Sequence, residues 1–478
     1  MALIGGRQGH KCRGTGSLAV CRAISTVIIL AGLGSACSAP EPAGFPRFSQ
    51  SESSRRPNVL VILVDALRRD HLGVYGYPLP TSPEIDAFAA ESFRFTHAYS
   101  HSTWTKPSVA SLFTSLYPEQ HGLGRVGIED QAGFRTDVLP KRLATLAERL
   151  KKAGYETAAF TTNVHIQRKT GFAQGFKRFF SRRLVDAFDL NSMLEEWLAE
   201  RDQHVPFFAY LHYMDVHWPY DRVLNGDTGR FGETDYEPRP PEHWTGVPAW
   251  ASLHLNERSL AAIVAGYDQE IAFTDAAFGD LMRWVEERQL TRETIIVLVA
   301  DHGEGFNEHG ELQHGFAPYE EVTAVPLLIR LPKVFAAEPR VVDDPVGLVD
   351  VMPTILDLVD LESPPEAVGR SLVPLLQGQP LRERPVYVEG VGVRGMRSGA
   401  YSVLVDSRGE IRCFDKSADP GELVALAGPV PEECRRLAEM LSVLERQFDE
   451  LRPGDDATAT VALDDEEIEA LRALGYLH

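Results

Sequence analysis

The chain has 478 residues, 44% of them hydrophobic, enough to bury a sizeable core as one large domain with an appendage or as two domains. Its formal net charge of −20 argues against a surface for phosphate backbones, which needs Lys and Arg, so no nucleic-acid partner is expected. Thiol catalysis is excluded from the stretch Ser38–Arg412, which holds no cysteine.

The N-terminal stretch runs against the acidic trend, with Arg7, Lys11, Arg13, Arg22, Arg47, Arg55 and Arg56 facing only Glu41 and Glu52. Within it, the apolar run Ile24–Leu33 is followed by Gly34, Ser35 and Ala36 before Cys37, the order of an export signal. A permanent transmembrane helix wants about 20 apolar residues, so cleavage is the reading preferred here. Gly-Ser-Ala-Cys, ending at Cys37, resembles a bacterial lipoprotein cleavage site; an ordinary, longer secretion signal is the alternative. The expectation is an exported protein, secreted or held at the periplasmic or cell surface, touching membrane only through a lipid on Cys37. Residues 1–37 are thus a leader and 38–55 a linker.

From Pro57 onward, apolar runs of strand length alternate with helix-period segments. Pro57–Asp65 is a continuous apolar run ending in a carboxylate, as expected of a strand buried on both faces. Leu139, Leu143, Leu146 and Leu150 then mark a helix from Leu139 to Ala153 that stops at Gly154. Further strands are expected at Thr157–Thr161, Pro206–Tyr213, Thr294–Asp301 and Pro326–Arg330, with a long helix over Ser259–Glu287. This alternation predicts an α/β domain over 56–384 with a mainly parallel sheet flanked by helices, and ligands beyond the carboxyl ends of its strands. Asp65 and Asp301 stand at two such ends, although either one alone would pass for a turn or helix cap. Short strands at Val386–Glu389, Tyr401–Val405 and Ile411–Phe414 and a helix at Glu432–Leu451 predict a small α+β subdomain over 385–452. Residues 453–478 read as an acidic linker, Pro453–Asp465, and a terminal helix, Glu466–Leu474. An oxidising compartment permits a Cys413–Cys434 disulfide without requiring it.

Three segments carry chemistry. In the first, Thr105 precedes Lys106 and Pro107, and a proline here suits the first turn of a helix. Unpaired backbone N–H groups and the dipole at a helix start hold an oxyanion, so the Thr105 hydroxyl would meet a phosphoryl or sulfuryl group, with Lys106 adding positive charge. Read in isolation, Thr105 is a plain N-cap. In the second, Asp301 and His302 end an apolar run and precede Gly303, Gly305, His309 and His314, several metal-ligand types on a backbone free to turn. In the third, Tyr210–Tyr220, His217 follows a strand, where it would contact substrate or protonate a leaving group, while His212 inside the strand reads as structural.

Across Arg56–Gly421 the chain resembles the sulfatase family of the alkaline phosphatase superfamily. The likeness rests on Arg56–Asp65, Asp70–Tyr77, Tyr117–Gly122, the His217 segment, Ala300–Glu304, Val325–Arg330, Leu348–Thr354, Gly369–Leu372 and Asp419–Glu422. It implies an alkaline-phosphatase-like sandwich and an ester hydrolase. By the same likeness Asp65, Asp301 and His302 match the metal positions, Thr105 the nucleophile, which joins the metal set here, and His217 a substrate-contacting histidine; from the residues themselves Lys106 and His314 are further expected substrate contacts, Lys106 also serving catalysis. This chain departs from the family pattern at the residues that matter most. Where the family has a Cys or Ser that matures to formylglycine, followed four positions later by Arg, this chain has Thr105 and Val109, so no formylglycine forms. Ala66 replaces the second leading aspartate, and Ala159–His165 lacks the usual sulfate-binding lysine. These departures resemble the superfamily branch that uses an unmodified Thr or Ser on phosphate esters. A mixed oxygen and nitrogen set suits one Zn or Mn better than Ca. The expected substrate is a small-molecule, lipid or glycan ester, with phosphate or phosphonate preferred. The rivals are a sulfatase acting through unmodified Thr105 and an inactive binding protein on the same scaffold.

Overall fold

In a computed structural model, residues 56–124, 128–130, 133–182, 185–220, 231–232, 257–451 and 459–473 are described. The leader, the linker before Arg56 and most of the Tyr220–Leu255 loop lie outside them. All described residues belong to the compact unit Gly44–His478.

The centre is an eight-stranded sheet. Its strands are β1 (Asn58–Val64), β2 (Phe93–Phe95), β3 (Glu156–Thr161), β4 (Arg178–Ser181), β5 (Phe207–Tyr213), β6 (Thr294–Ala300), β7 (Leu327–Arg330) and β8 (Val341–Val342). The spatial order is β8-β2-β7-β6-β1-β5-β3-β4. All neighbours run parallel except β7, which is antiparallel to both β2 and β6. β1, β5 and β6 are buried along their whole length, which is why they read as unbroken apolar runs rather than alternating ones. Parallel register aligns β1 with β5 at Leu63 and His212, and with β6 at Val64 and Ala300. The residues that follow β1 and β6, Asp65 and Asp301, therefore emerge side by side at the same edge of the sheet.

The mainly parallel, helix-covered architecture follows the sequence expectation, with three differences. The helix expected over Leu139–Ala153 occupies only Leu146–Lys152. It starts at a capping box, in which the Thr145 hydroxyl accepts from Glu148 N at 3.2 Å and the Glu148 carboxylate accepts from Thr145 N at 3.0 Å. Part of the expected linker, Thr460–Ala462, is instead a strand paired antiparallel with Arg135–Asp137. The short strands β2, β4 and β8 gave no sequence signal, because two to four residues carry no readable period.

A separate antiparallel sheet follows, made of β9 (Val386–Gly390), β10 (Val393–Arg397), β11 (Tyr401–Asp406) and β12 (Ile411–Asp415). The helix Glu432–Leu451 packs on it through Leu437, Leu441 and Phe448. A Cys413–Cys434 disulfide ties β12 to that helix.

Candidate active site

The helix Thr105–Thr114 begins beside the strand ends. Its N-cap position is Trp104 and has no side-chain cap; Thr105 is the first helical residue and is fully buried. The Thr105 hydroxyl is turned to the strand ends, 3.4 Å from Asp65 Oδ2 and 3.2 Å from His302 Nε2. These contacts hold the side chain of the proposed nucleophile at the strand ends.

Asp65 and Asp301 are fully buried, and each carboxylate is divided between two tasks. On Asp65, Oδ2 accepts from Asn163 Nδ2 at 2.8 Å and faces His212 Nε2 at 3.0 Å, whereas Oδ1 has no hydrogen-bond partner. On Asp301, Oδ1 accepts from the backbone N–H groups of Ala66 and His302, at 3.2 and 3.0 Å, whereas Oδ2 has none. Two bare, fully buried carboxylate oxygens are costly unless a cation joins them. Between them lies His302 Nε2, 3.5 Å from Asp65 Oδ1 and 3.6 Å from Asp301 Oδ2. His302 Nδ1 sits 2.8 Å from the Gly303 carbonyl, which can only accept; the ring proton is therefore on Nδ1, and Nε2 offers its lone pair.

Three of the separations among these atoms are close to those around a small tetrahedral cation. Ligand atoms about 2.0–2.1 Å from tetrahedral zinc stand roughly 3.3–3.4 Å apart. His302 Nε2 meets Thr105 Oγ1, Asp65 Oδ1 and Asp301 Oδ2 at 3.2, 3.5 and 3.6 Å. Asp65, His212 and Asp301 also bring ligand atoms within 4.8 Å of one another, a candidate metal group on distance alone. His212, however, points its Nε2–H at the Asp65 oxygen opposite the bare one, and its Nδ1 takes the Tyr210 hydroxyl at 3.0 Å. Its place is behind Asp65.

The electrostatics follow from burial and crowding. Burial alone would raise the Asp65 carboxyl, but the His212 hydrogen bond and the imidazoles of His217 and His302 hold it well below its usual range. Asp301 is pushed up, by burial and then by the neighbouring Asp65 charge. Two carboxylates pushed apart in this way both stay ionised once a divalent cation sits between them. Burial lowers His302 and His314 to about 3, the nearby imidazoles adding to the effect, so both rings are neutral near pH 7.

Of the residues singled out by sequence, the structure gathers Asp65, Thr105, Asp301, His302, His217 and His314. The His314 ring lies 4.2 Å from that of His302 and 4.9 Å from that of His217. His314 Nδ1 faces Glu304 Oε1 at 2.9 Å, and Glu304 Oε2 takes the Tyr220 hydroxyl at 3.0 Å. Lys106 is placed differently from expectation. Its side chain is buried, and Nζ donates to the Thr136 hydroxyl and to the Asp137 carbonyl, the latter at 3.2 Å. Loss of hydration lowers its pKa to about 8 despite Asp137, so its charge is engaged by its own surroundings. His309 is likewise committed, Nδ1 to Glu321 at 2.7 Å and Nε2 to the Glu422 carbonyl at 2.9 Å. Asn163 and His212 are the residues that sequence reasoning undervalued. An asparagine two residues past a strand reads as a turn residue, and a histidine within an apolar strand as core.

Residues 57–361 match the family model for Sulfatase, and the chain belongs to that family. It is 25% identical over 450 residues to an arylsulfatase of Clostridium perfringens, covering 78% of this chain and 90% of that one. Among solved structures, a 2-O GAG sulfatase aligns with TM-score 0.66 and 22% identity, covering 88% of this chain and 97% of its own. The phosphonate monoester hydrolase of Agrobacterium radiobacter aligns with TM-score 0.64 and 20% identity, covering 82% and 96%. The fold is thus the alkaline-phosphatase-like sulfatase fold, and the protein is a sulfatase-family hydrolase acting on ester bonds.

Proposed function

We propose that this enzyme hydrolyses phosphate or phosphonate esters with Thr105 as an unmodified nucleophile and one Zn or Mn held by Asp65, Asp301, His302 and Thr105. The observation that carries the reading is the meeting of the Thr105 hydroxyl, the His302 lone pair and two bare carboxylate oxygens at one buried point. A cation bound there supplies Lewis acidity to a substrate oxygen and lowers the pKa of the Thr105 hydroxyl.

The protein's own groups do the rest. Thr105 Oγ1 gives up its proton to water and forms the bond to phosphorus, the ester P–O bond breaks, and the leaving alcohol takes a proton from His217 on the substrate side, which the water attacking in the second step replaces. Backbone N–H groups at the start of the Thr105–Thr114 helix share the charge on the transferring oxygens. Water then attacks phosphorus, frees Thr105 and releases phosphate or phosphonate. A formylglycine hydrate can expel sulfate by breaking its own carbon–oxygen bond. Thr105 has no such route, and a phosphoryl group, carrying more charge than a sulfuryl group, gains more from a cation and a helix start. Export through the N-terminal leader, with Cys37 as a lipid site, belongs to the same reading; among the described residues no helix is long and apolar enough to cross a membrane.

The test is kcat/KM for nitrophenyl phosphate, a phosphate diester, phenylphosphonate monoester and nitrophenyl sulfate, with Zn or Mn supplied. A phosphorus ester is expected to lead. A lead for the sulfate of more than about tenfold, roughly 1.4 kcal/mol, reverses the assignment in favour of a sulfatase acting through Thr105. No turnover of any ester, with metal bound, points to the binding-protein rival.

A further inference from the structure

We infer that Asn163, backed by His212, sets the metal selectivity of the site by keeping Asp65 a one-oxygen ligand. The inference rests on the proposed metal site and adds a role for residues outside its ligand set. A carboxylate can bind a cation through one oxygen or through both, and calcium, with 6–8 oxygen ligands, readily takes both, whereas tetrahedral zinc takes one atom from each group. On Asp65 the choice has been removed. Oδ2 is occupied by the Asn163 amide at 2.8 Å and by His212 at 3.0 Å, with the Thr105 hydroxyl further off at 3.4 Å, which leaves Oδ1 alone. The backbone treats Asp301 in the same way, with Ala66 N and His302 N on Oδ1 and nothing on Oδ2. Both carboxylates can therefore offer one atom each.

Asn163 is itself fixed. It is 1% exposed, its backbone N–H donates to Thr161 Oγ1 at 3.1 Å, and its Oδ1 accepts from His165 N at 2.7 Å. That last bond orients the amide, so that the NH2 end and not the oxygen meets Asp65. His212 is oriented by the Tyr210 hydroxyl on its Nδ1. The two donors come from different strand ends, β3 and β5, which flank β1 on one side of the sheet in the order β1-β5-β3. Asn163 acts through Asp65 and is a positioning residue.

Asn163→Asp separates this role from a purely structural one, because it keeps the shape and the acceptor for His165 N–H while deleting the donor to Asp65. Zinc and calcium affinities of the chelator-stripped protein are measured by competition with a chromophoric chelator, for wild type, Asn163→Asp, Asn163→Ala and His302→Ala, alongside thermal melts without metal. The expected result is a fall of at least about tenfold in the zinc-over-calcium preference for both Asn163 variants, in the range typical of lost outer contacts to a ligand. Wild-type preference in both, within about twofold, overturns the inference. So does a failure of both variants to fold, which would assign Asn163 to the backbone rather than to the metal. His302→Ala separates the two layers of argument. If it keeps full zinc, the site assignment itself fails; if it loses zinc while the Asn163 variants keep their preference, only the selectivity role fails.

Discussion

Two buried charged clusters in this protein are built to opposite rules. The first, between the catalytic sheet and the antiparallel sheet, centres on Glu320 and Glu422. Both oxygens of both carboxylates are bonded: Glu320 to Arg69, Arg397, Lys416 and Tyr99, and Glu422 to Arg397. The second is the candidate active site, where Asp65 Oδ1 and Asp301 Oδ2 have no hydrogen-bond partner and, among the described residues, no lysine or arginine is bonded to either carboxylate. In the first cluster every carboxylate oxygen meets a cationic side chain and only Arg397 Nε is left without a partner, so its negative charge is fully matched. In the second, equally buried, two carboxylate oxygens are left bare, the arrangement on which the proposed metal site rests.

The sharpest way to break the comparison is at Thr105. Thr105→Ala should lower kcat by roughly 10⁶-fold, the scale of removing a nucleophile, while its melting temperature stays near wild type. Turnover within about tenfold of wild type would remove Thr105 from the chemistry and leave it a buried helix residue. Next in size is the satisfied cluster. Arg397→Met strands Glu422 in the interior and should cost about 3–5 kcal/mol in urea unfolding, with bound metal per folded chain unchanged. Loss of metal without loss of stability would mean that the two clusters are not separate.

The smallest effect is a pH dependence. Against burial, Lys416, Arg69 and Arg397 hold the Glu320 carboxyl down to about 2. Since the folded value lies below the unfolded one, this contribution is fully present above about pH 5 and is lost as pH falls towards 2. Glu320→Gln should therefore be less stable than wild type near neutrality, the gap narrowing through that window. A constant gap from pH 7 to 3, read by urea melts, would show that the carboxylate's ionisation contributes nothing there.

Much of this was written in the chain itself. Unbroken apolar runs ending in Asp65 and Asp301 announce strands buried on both faces, and the Asp-His pair announces polar groups gathered at such an end, because burial on both sides leaves a strand no polar position until it stops. Thr105 ahead of Pro107 announces a helix start in the same local way. The tertiary structure decided what those residues face. It placed His212 behind Asp65, which no pattern could show, since in a doubly buried strand every side chain is inside and alternation says nothing of which face holds the site. It aimed Asn163 at one oxygen of Asp65, tied the Lys106 ammonium to Thr136 and Asp137, and joined Arg397 to a glutamate 77 residues away. Sequence spacing fixes which residues share a strand or a turn. Which oxygen is satisfied and which is left bare depends on partners brought in from elsewhere in the chain, and only packing determines those.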